Sequence, residues 1–251
     1  MEALNKYLAA VTNAQSVEEL WSLHCHRMAL YGFDRLIYGF TRYRSGSSLG
    51  DPQDWVVLSN HDPAYLKGFI DEGMYADAPM LKWALEHDGA SSWNINVQAA
   101  MRGELSDREL RVLEFNRRLG VTAGYTVSFR SLSPRSKGAM ALTSPSGVTQ
   151  DEVDAIWAEH GDDILVCNNV AHLKILTLPH ANRRQLTKRQ REVLEWVGDG
   201  KTAQDIALIM GLTPATVEKH LRLARIAFDV ETTAQAVMKA AFSNQMFVLD
   251  I

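Results

Sequence analysis

Projected at about 100° per residue, the stretch Pro214 to Phe228 carries Lys219, Arg222, Leu223 and Ile226 on one side and Val217, Leu221, Ala224 and Phe228 on the other. Basic side chains on such an outer face reach phosphates or the acceptor edge of guanine, and Leu223 or a threonine methyl can meet a thymine methyl. The chemistry on offer is contact with double-stranded DNA. The plain alternative is a solvated helix face with ordinary charges, so the weight of the reading rests on what holds this stretch.

A second set of residues suits a small amphiphile. Tyr65, Phe69, Met80, Trp93 and Tyr125 supply apolar surface with hydroxyl and indole groups, and Asp77 supplies a carboxylate. Aromatic residues at helical spacing are also ordinary core material, which is the alternative for Tyr65, Phe69, Trp83 and Trp93.

Other chemistries find no support. His24, Cys25 and His26 are adjacent, and adjacent side chains on a helix point about 100° apart, so they do not chelate one ion. Cys25 and Cys167 are the two cysteines; they lie far apart, fit a reducing compartment, and have the spacing of neither a metal site nor a redox pair. No G-x-S-x-G or H-E-x-x-H occurs, so the chain reads as a non-enzyme without metal or cofactor. No stretch approaches the roughly 18 to 20 apolar residues of a membrane helix, and the first residues, MEALNKYLAA, have no secretory pattern. A cytoplasmic protein with no membrane partner is expected.

The net charge of −4 argues by itself against a nucleic-acid partner. Its distribution reverses the argument. From residue 181 onward there are ten basic and eight acidic side chains, or +2, which leaves −6 for residues 1–180. The basic excess lies in the part that carries Lys219 and Arg222.

The elements that must position these groups follow from periodicity and punctuation. Leu4, Leu8 and Val11, then Val17, Leu20, Trp21 and Met28, mark two helices, the second capped by Ser16. Residues 34–43 and WVVLS read as strands on either side of the turn-rich SGSSLGDPQD. Residues 62–73 and 77–87 are short helices, Leu105 to Leu119 is an amphipathic helix, and Gly124 to Arg130 and Gly138 to Thr143 are strands. Thr149 opens one long helix over 149–177 with Val153, Ile156, Trp157, Ile164, Val170, Leu173 and Leu176 as its apolar positions. The expected fold class is α+β: an N-terminal α-β-α sandwich with a mainly antiparallel sheet over residues 1–176, a linker at 177–185, and an all-α four-helix domain over 186–251.

In the last domain each helix has a start signal. Thr187 and Gln190 stand in capping-box register, Thr202 precedes Asp205 by three, and Thr213 precedes Pro214 at the first helical position. Gly200 and Gly211 end helices, so Thr202–Met210 and Pro214–Phe228 are joined by a tight turn in helix-turn-helix spacing. The segment LTKRQREVLEWVGDGKTAQDIALIMGLTPATVEKHLRLARIAFDV resembles the DNA-binding domain of LuxR-type regulators, whose pattern is LT-x-R-E/Q-x-E-V-L, GK-T-x-x-x-IA and G-x-x-x-x-TV-x-x-H. Gln190, Leu194 and Gly200 fall on hallmark positions, with Gln190 in place of the usual Glu. The resemblance implies that Pro214–Phe228 enters the major groove, that a fourth helix near Thr233 to Ser243 helps pair two copies, and that DNA is met through Lys201, Thr202, Thr213, Thr216, Lys219, Arg222 and Leu223. The usual N-R-T before the last helix is here Thr232, Thr233 and Ala234.

Residues 1 to about 175 are similar to the acyl-homoserine-lactone-sensing domain of the same family. That domain has a Trp, a Tyr four later, an Asp-Pro pair, a Trp fifteen after the Asp, and a Gly at the start of a later strand. Aligned on Pro79 and Trp93, the positions here are Tyr65, Phe69, Ala78–Pro79, Trp93 and Gly124. Tyr65 keeps a hydroxyl donor, Phe69 lacks the polar group of a tyrosine, and the acidic residue lies one place early at Asp77. The implied pocket consists of Tyr65, Phe69, Asp77, Met80, Trp93, Gly124, Tyr125 and Ser144, with an ordinary strand-end serine as the alternative for Ser144. Three readings stay open: an acyl-homoserine lactone, a different small amphiphile, or a domain that folds and acts without ligand. The resemblance implies a homodimer that binds palindromic promoter DNA, with RNA polymerase as a further partner. The alternative is a ligand-independent regulator, or a dimerising anti-regulator that acts by protein contact.

Overall fold

The computed structural model describes residues 2–46, 48–131, 133–179 and 185–246. The chain divides into two compact units at Leu176/Thr177, with the short segment Asp51–Asp54 grouped with the second. Of the expected linker, residues 180–184 lie outside the described residues.

The first unit opens with helices α1 (Glu2–Asn13) and α2 (Val17–Ala29), and Ser16 caps the second by accepting from the Glu19 amide. Strands β1 (Arg35–Thr41), β2 (Val56–Ser59), β3 (Gly89–Ser92), β4 (Gly124–Phe129) and β5 (Lys137–Thr143) form one antiparallel sheet in the order β2-β1-β5-β4-β3. Between β2 and β3 lie α3 (Pro63–Leu66), a π-turn at Lys67–Asp71, a 3₁₀ turn at Met74–Asp77 and α4 (Pro79–Glu86). Helices α5 (Asn94–Met101) and α6 (Asp107–Arg118) follow β3, and α7 (Gln150–Ile175) closes the unit. Capping boxes Ser106/Glu109 and Thr149/Glu152 fix the starts of α6 and α7.

Alternation along each strand sorts the side chains into two layers. Leu36, Tyr38, Val127, Phe129, Met140 and Leu142 are buried on the side of the sheet covered by α2 and α7. The Tyr38 hydroxyl meets His172 Nδ1 of α7 at 2.9 Å, the Phe129 ring stacks on the same imidazole, and His24 of α2 reaches the Met140 sulfur. The other face turns Ile37, Thr126, Ala141 and Thr143 towards the α3–α6 side.

Two elements go beyond the sequence reading. Strand β3 and helix α5 occupy a stretch with no alternation and no β-branched run; β3 is an edge strand paired with β4 alone, and its Ser92 hydroxyl donates to Asp154 of α7 at 2.7 Å. On α7 the buried positions are Val153, Gly161, Ile164, Cys167, Asn168, Ala171, His172 and Ile175, whereas Leu173 is 63% exposed. Gly161 lies beneath Trp157, where an added Cβ would come within 2.7 Å of the indole nitrogen. The bare backbone there seats Trp157 flat against Tyr125, ring centroids 3.9 Å apart.

The second unit contains α8 (Lys188–Gly198), α9 (Ala203–Met210), α10 (Pro214–Phe228) and α11 (Thr233–Phe242). Its core is Val193, Leu194, Ile206, Val217, Leu221, Ala224, Phe228, Ala236 and Ala240. Three capping boxes are formed: Thr187/Gln190, Thr202/Asp205 and Thr232/Gln235. Gln190 thus does the capping work of a glutamate, its Oε1 accepting from the Thr187 amide at 2.9 Å. Gly211, in the left-handed region at φ +66°, ends α9 and turns the chain into α10.

Candidate ligand cavity and DNA-binding face

Between the inner face of the sheet and helices α3, α4 and α6 lies a cavity of about 380 Å³, inside the roughly 300–1,000 Å³ range of small-molecule sites. Its wall is largely apolar. Tyr65, Met80, Trp93 and Val121 form a buried cluster, with Ile37, Leu66, Phe69, Trp83, Phe115 and Ala141 packed against it.

The elements explain the placement. Asp62 caps α3 and Pro63 opens it, which brings Tyr65 inward; the π-turn then carries Phe69 to the same wall, its ring 5.3 Å from Tyr65. Gly68 sits where a Cβ would strike the Phe115 ring at 2.5 Å, so this turn packs tightly on α6. Pro79 starts α4 and directs Met80 into the cavity. Trp93 Nε1 donates to the Thr126 hydroxyl at 2.9 Å, which fixes the indole against β4. Burial pushes the Tyr65 phenol well above its ordinary range, so the hydroxyl is neutral at physiological pH.

Of the eight residues expected at the pocket, Tyr65, Phe69, Met80 and Trp93 line the cavity and four do not. Gly124 supports the wall from behind: an added Cβ would lie 2.1 Å from the Leu142 carbonyl oxygen and 3.0 Å from the Trp93 ring. Tyr125 follows the strand alternation to the opposite face and stacks on Trp157, so its neighbour Thr126 is the one that faces the cavity. Asp77 ends the 3₁₀ turn outside the wall, where the residue facing in is Ala78. Ser144 is buried with its hydroxyl donating to the Ala123 carbonyl, joining the end of β5 to the start of β4.

Sequence reasoning missed Thr126, Thr143 and Asn116, all of which line the cavity. Counting by twos from Gly124 and from Ala141 reaches the two threonines. Asn116 lies four residues after the buried Val112 of α6, which sets it on the inward side of that helix, but its polar side chain by itself does not mark it as a cavity residue.

In the second unit, α10 buries Val217, Leu221, Ala224 and Phe228 and leaves Lys219, Arg222 and Ile226 exposed, with Leu223 half-buried. Lys219 and Arg222 have no ion pair or hydrogen bond among the described residues. The hydroxyls of Thr202 and Thr213 are engaged as helix caps: Thr202 bonds the Asp205 carboxylate at 2.7 Å, and Thr213 accepts from the Thr216 amide at 3.2 Å and meets its hydroxyl at 2.9 Å. Lys201 is exposed beside Thr202. Arg225 is turned to α11, donating to the Thr233 hydroxyl at 3.0 Å.

Among the described residues no helix is long and apolar enough to cross a membrane, and no group of three His, Cys, Asp or Glu side chains could hold a metal ion.

A cavity-bearing α-β-α sandwich followed by a four-helix domain with helix-turn-helix spacing defines a bacterial sensor-regulator of transcription. Residues 16–175 match the autoinducer binding domain, and residues 184–240 match the LuxR family of bacterial regulatory proteins. The chain belongs to the LuxR-type family of quorum-sensing transcription regulators. It is 24% identical over 242 residues to the transcriptional activator protein AnoR of Acinetobacter nosocomialis, covering 93% of this chain and 94% of that one. With the transcriptional activator protein LuxR of Aliivibrio fischeri it shares 22% over 197 residues, 76% of this chain and 75% of the other. Among solved structures, Escherichia coli SdiA aligns over 98% of this chain and 99% of its own at a TM-score of 0.50 and 17% identity. The N-acylhomoserine lactone dependent regulator CepR2 of Burkholderia cenocepacia aligns over 68% of this chain and 92% of its own, with a TM-score of 0.53 at 15% identity. At such identities the likeness is one of fold.

Proposed function

We propose that this protein is a dimeric, ligand-responsive transcription factor: a small amphiphile fills the N-terminal cavity and changes the population of dimers able to bind palindromic promoter DNA. The observation that carries the reading is the apolar cavity of about 380 Å³ held between sheet and helices in a chain that ends in a helix-turn-helix. Residues 1–176 are the sensing domain, 177–185 the linker and 186–251 the DNA-binding domain. A ligand that binds only the folded sensor stabilises it by mass action and biases whichever dimer state it prefers.

In the DNA-binding domain α10 enters the major groove. Lys219 and Arg222, exposed and uncommitted, reach phosphate or base edges; Lys201 and the cap residues Thr202, Thr213 and Thr216 flank the backbone, and Leu223 lies at the groove floor. Two copies would place two such helices about one turn of DNA apart.

The test is native mass spectrometry with solvent extraction on the full chain, expressed with and without acyl-homoserine lactones, together with the thermal midpoint of each sample. A stoichiometrically retained small molecule and a raised midpoint support the sensor reading. A folded dimer that keeps no small molecule and melts at one temperature throughout overturns it in favour of ligand-independent action.

A further inference from the structure

Helix α11 ends at Phe242, and Ser243 to Met246 turn the chain back on the DNA-binding domain. Asn244 takes the left-handed backbone at φ +51°, which asparagine adopts more readily than most side chains. The turn is closed by the Asn244 amide on the Ala241 carbonyl at 3.1 Å and the Gln245 amide on the Ala240 carbonyl at 3.0 Å. Ser243 is buried; its hydroxyl donates to the Lys239 carbonyl at 2.8 Å and accepts from Gln245 Nε2 at 3.2 Å. Met246 then packs on the domain core. These bonds aim the side chains of Asn244 and Gln245.

Both side chains hold the segment that follows α7. Asn244 Nδ2 donates to the Leu178 carbonyl at 2.9 Å, and Gln245 Oε1 accepts from the Leu186 amide at 3.0 Å. Leu178 is only 5% exposed and counts with the second unit, and Leu186 belongs to that unit's core. The expected linker at 177–185 is therefore fastened to the DNA-binding unit at its second residue. Helix α7 ends at Ile175 with Leu176 as its cap, so Thr177 alone lies between that cap and the fastened Leu178.

The bond from Asn244 thus takes residues 178–185 out of the connection. Eight residues span about 28 Å when extended and about 15 Å root-mean-square as a flexible coil. One base pair of added spacing in an operator moves a half-site by about 3.4 Å and turns it by about 34° around the DNA axis. A connection reduced to Thr177 is shorter than two such steps. With eight residues more, a change of about four base pairs falls within its reach.

We infer that Asn244, acting through Leu178, is a positioning residue that sets which half-site spacing the dimer accepts, with Gln245 holding the other end of the fastened segment. The inference rests on the reading of the protein as a dimer on palindromic DNA. Neither residue needs to touch DNA for this role: the half-site is read by α10, and the spacing by the length of chain that Asn244 leaves in the connection.

Selection from a random-sequence duplex library with the full chain tests this, because it requires no known operator. The parent should enrich paired half-sites at one spacing. Asn244→Gly keeps the left-handed turn and removes the donor, and Leu178→Ser/Asn244→Gly also removes the buried leucine. Both variants should enrich the same half-site at several spacings, the double variant over about four base pairs. On an isolated half-site recovered from the selection, parent and variants should bind alike, which separates a longer connection from a damaged domain. Deleting residues 179–182 from the double variant should narrow the spread again, a rescue that a merely loosened fold would not show. If the double variant loses half-site binding, the single variant decides alone. Variants that keep the parent's single spacing, a parent as broad as its variants, or a spread that the deletion leaves unchanged would overturn the inference while leaving a dimer on DNA. A parent that enriches no paired half-sites would remove the dimer reading, and this inference with it.

Discussion

The indole Nε1 of Trp93 donates to the hydroxyl of Thr126 at 2.9 Å, and both groups are buried at the cavity wall. The bond ties the residue just before α5 to the middle of β4, so the indole is a fixed wall whose own donor is satisfied inside the protein. Thr126→Val keeps the shape and strands the N–H. Such a buried orphan costs about 1–3 kcal/mol, so chemical denaturation should show a loss in that range, with Thr126→Ser close to the parent. A Thr126→Val protein as stable as the parent would mean that the bond does not hold the indole.

Gly124 makes the same wall possible in another way. A methyl group there would come 2.1 Å from the Leu142 carbonyl oxygen in the neighbouring strand and 3.0 Å from the Trp93 ring. The backbone oxygen cannot retreat without opening the β4–β5 ladder, so Gly124→Ala should destabilise by about 3 kcal/mol, at the upper end of overpacking effects. The fall should be visible in the thermal midpoint, and Gly89→Ala, with open space around its Cβ position, should disturb packing far less, although its φ of +93° adds backbone strain.

Much of this arrangement was legible in the residues. The caps at Ser16, Thr149, Thr187, Thr202 and Thr213 mark helix starts because a side-chain oxygen there satisfies a free amide, a local interaction that sequence records directly. Aromatic and β-branched runs bounded by turn residues mark four of the five strands, and Tyr65, Phe69, Met80 and Trp93 are recognisable as one set. What stayed hidden depends on tertiary pairing. Strand β3 is made of Gly-Ala-Ser-Ser and exists through its register with β4. Tyr125 looked like a pocket residue beside Gly124, but strand parity sends it to Trp157. Asp77 is excluded because the turn before Pro79 directs Ala78, not its neighbour, to the cavity.

Three buried histidines give the stability a pH dependence. Burial lowers His24, His61 and His172 to about 4, with the Arg35 charge adding to the effect at His61 and Arg42 at His172. Unfolding returns each to its ordinary 6.5. Between these values the unfolded chain binds protons that the native chain does not, so stability is full above about pH 6.5 and falls as pH drops towards 4. Each histidine contributes up to about 1.4 kcal/mol per pH unit in that window. Urea denaturation at pH 7.5, 6.0 and 5.0 should follow this fall, and His172→Gln should reduce its slope by about one proton. A stability flat from pH 7.5 to 5 would show that these histidines are protonated in the native state as readily as in the unfolded one.

The outer face of α10 gives the sharpest test of the DNA-binding proposal. Lys219 and Arg222 are exposed and have no protein partner among the described residues, so substitution removes no internal bond and the fold should be unaffected. If each neutralises a phosphate, Lys219→Ala and Arg222→Ala should weaken binding on every sequence alike and lower the slope of log affinity against log salt by about 1. If Arg222 instead reads a guanine, its loss should cost about 1–3 kcal/mol at one base position and relax specificity there. Arg225 is the internal control. Its guanidinium is engaged with Thr233 of α11, so Arg225→Ala should lower the melting temperature before it changes the salt slope. Titration of promoter fragments at several salt concentrations distinguishes these outcomes, and an unchanged affinity and slope for both Lys219→Ala and Arg222→Ala would remove this face of α10 from the interface.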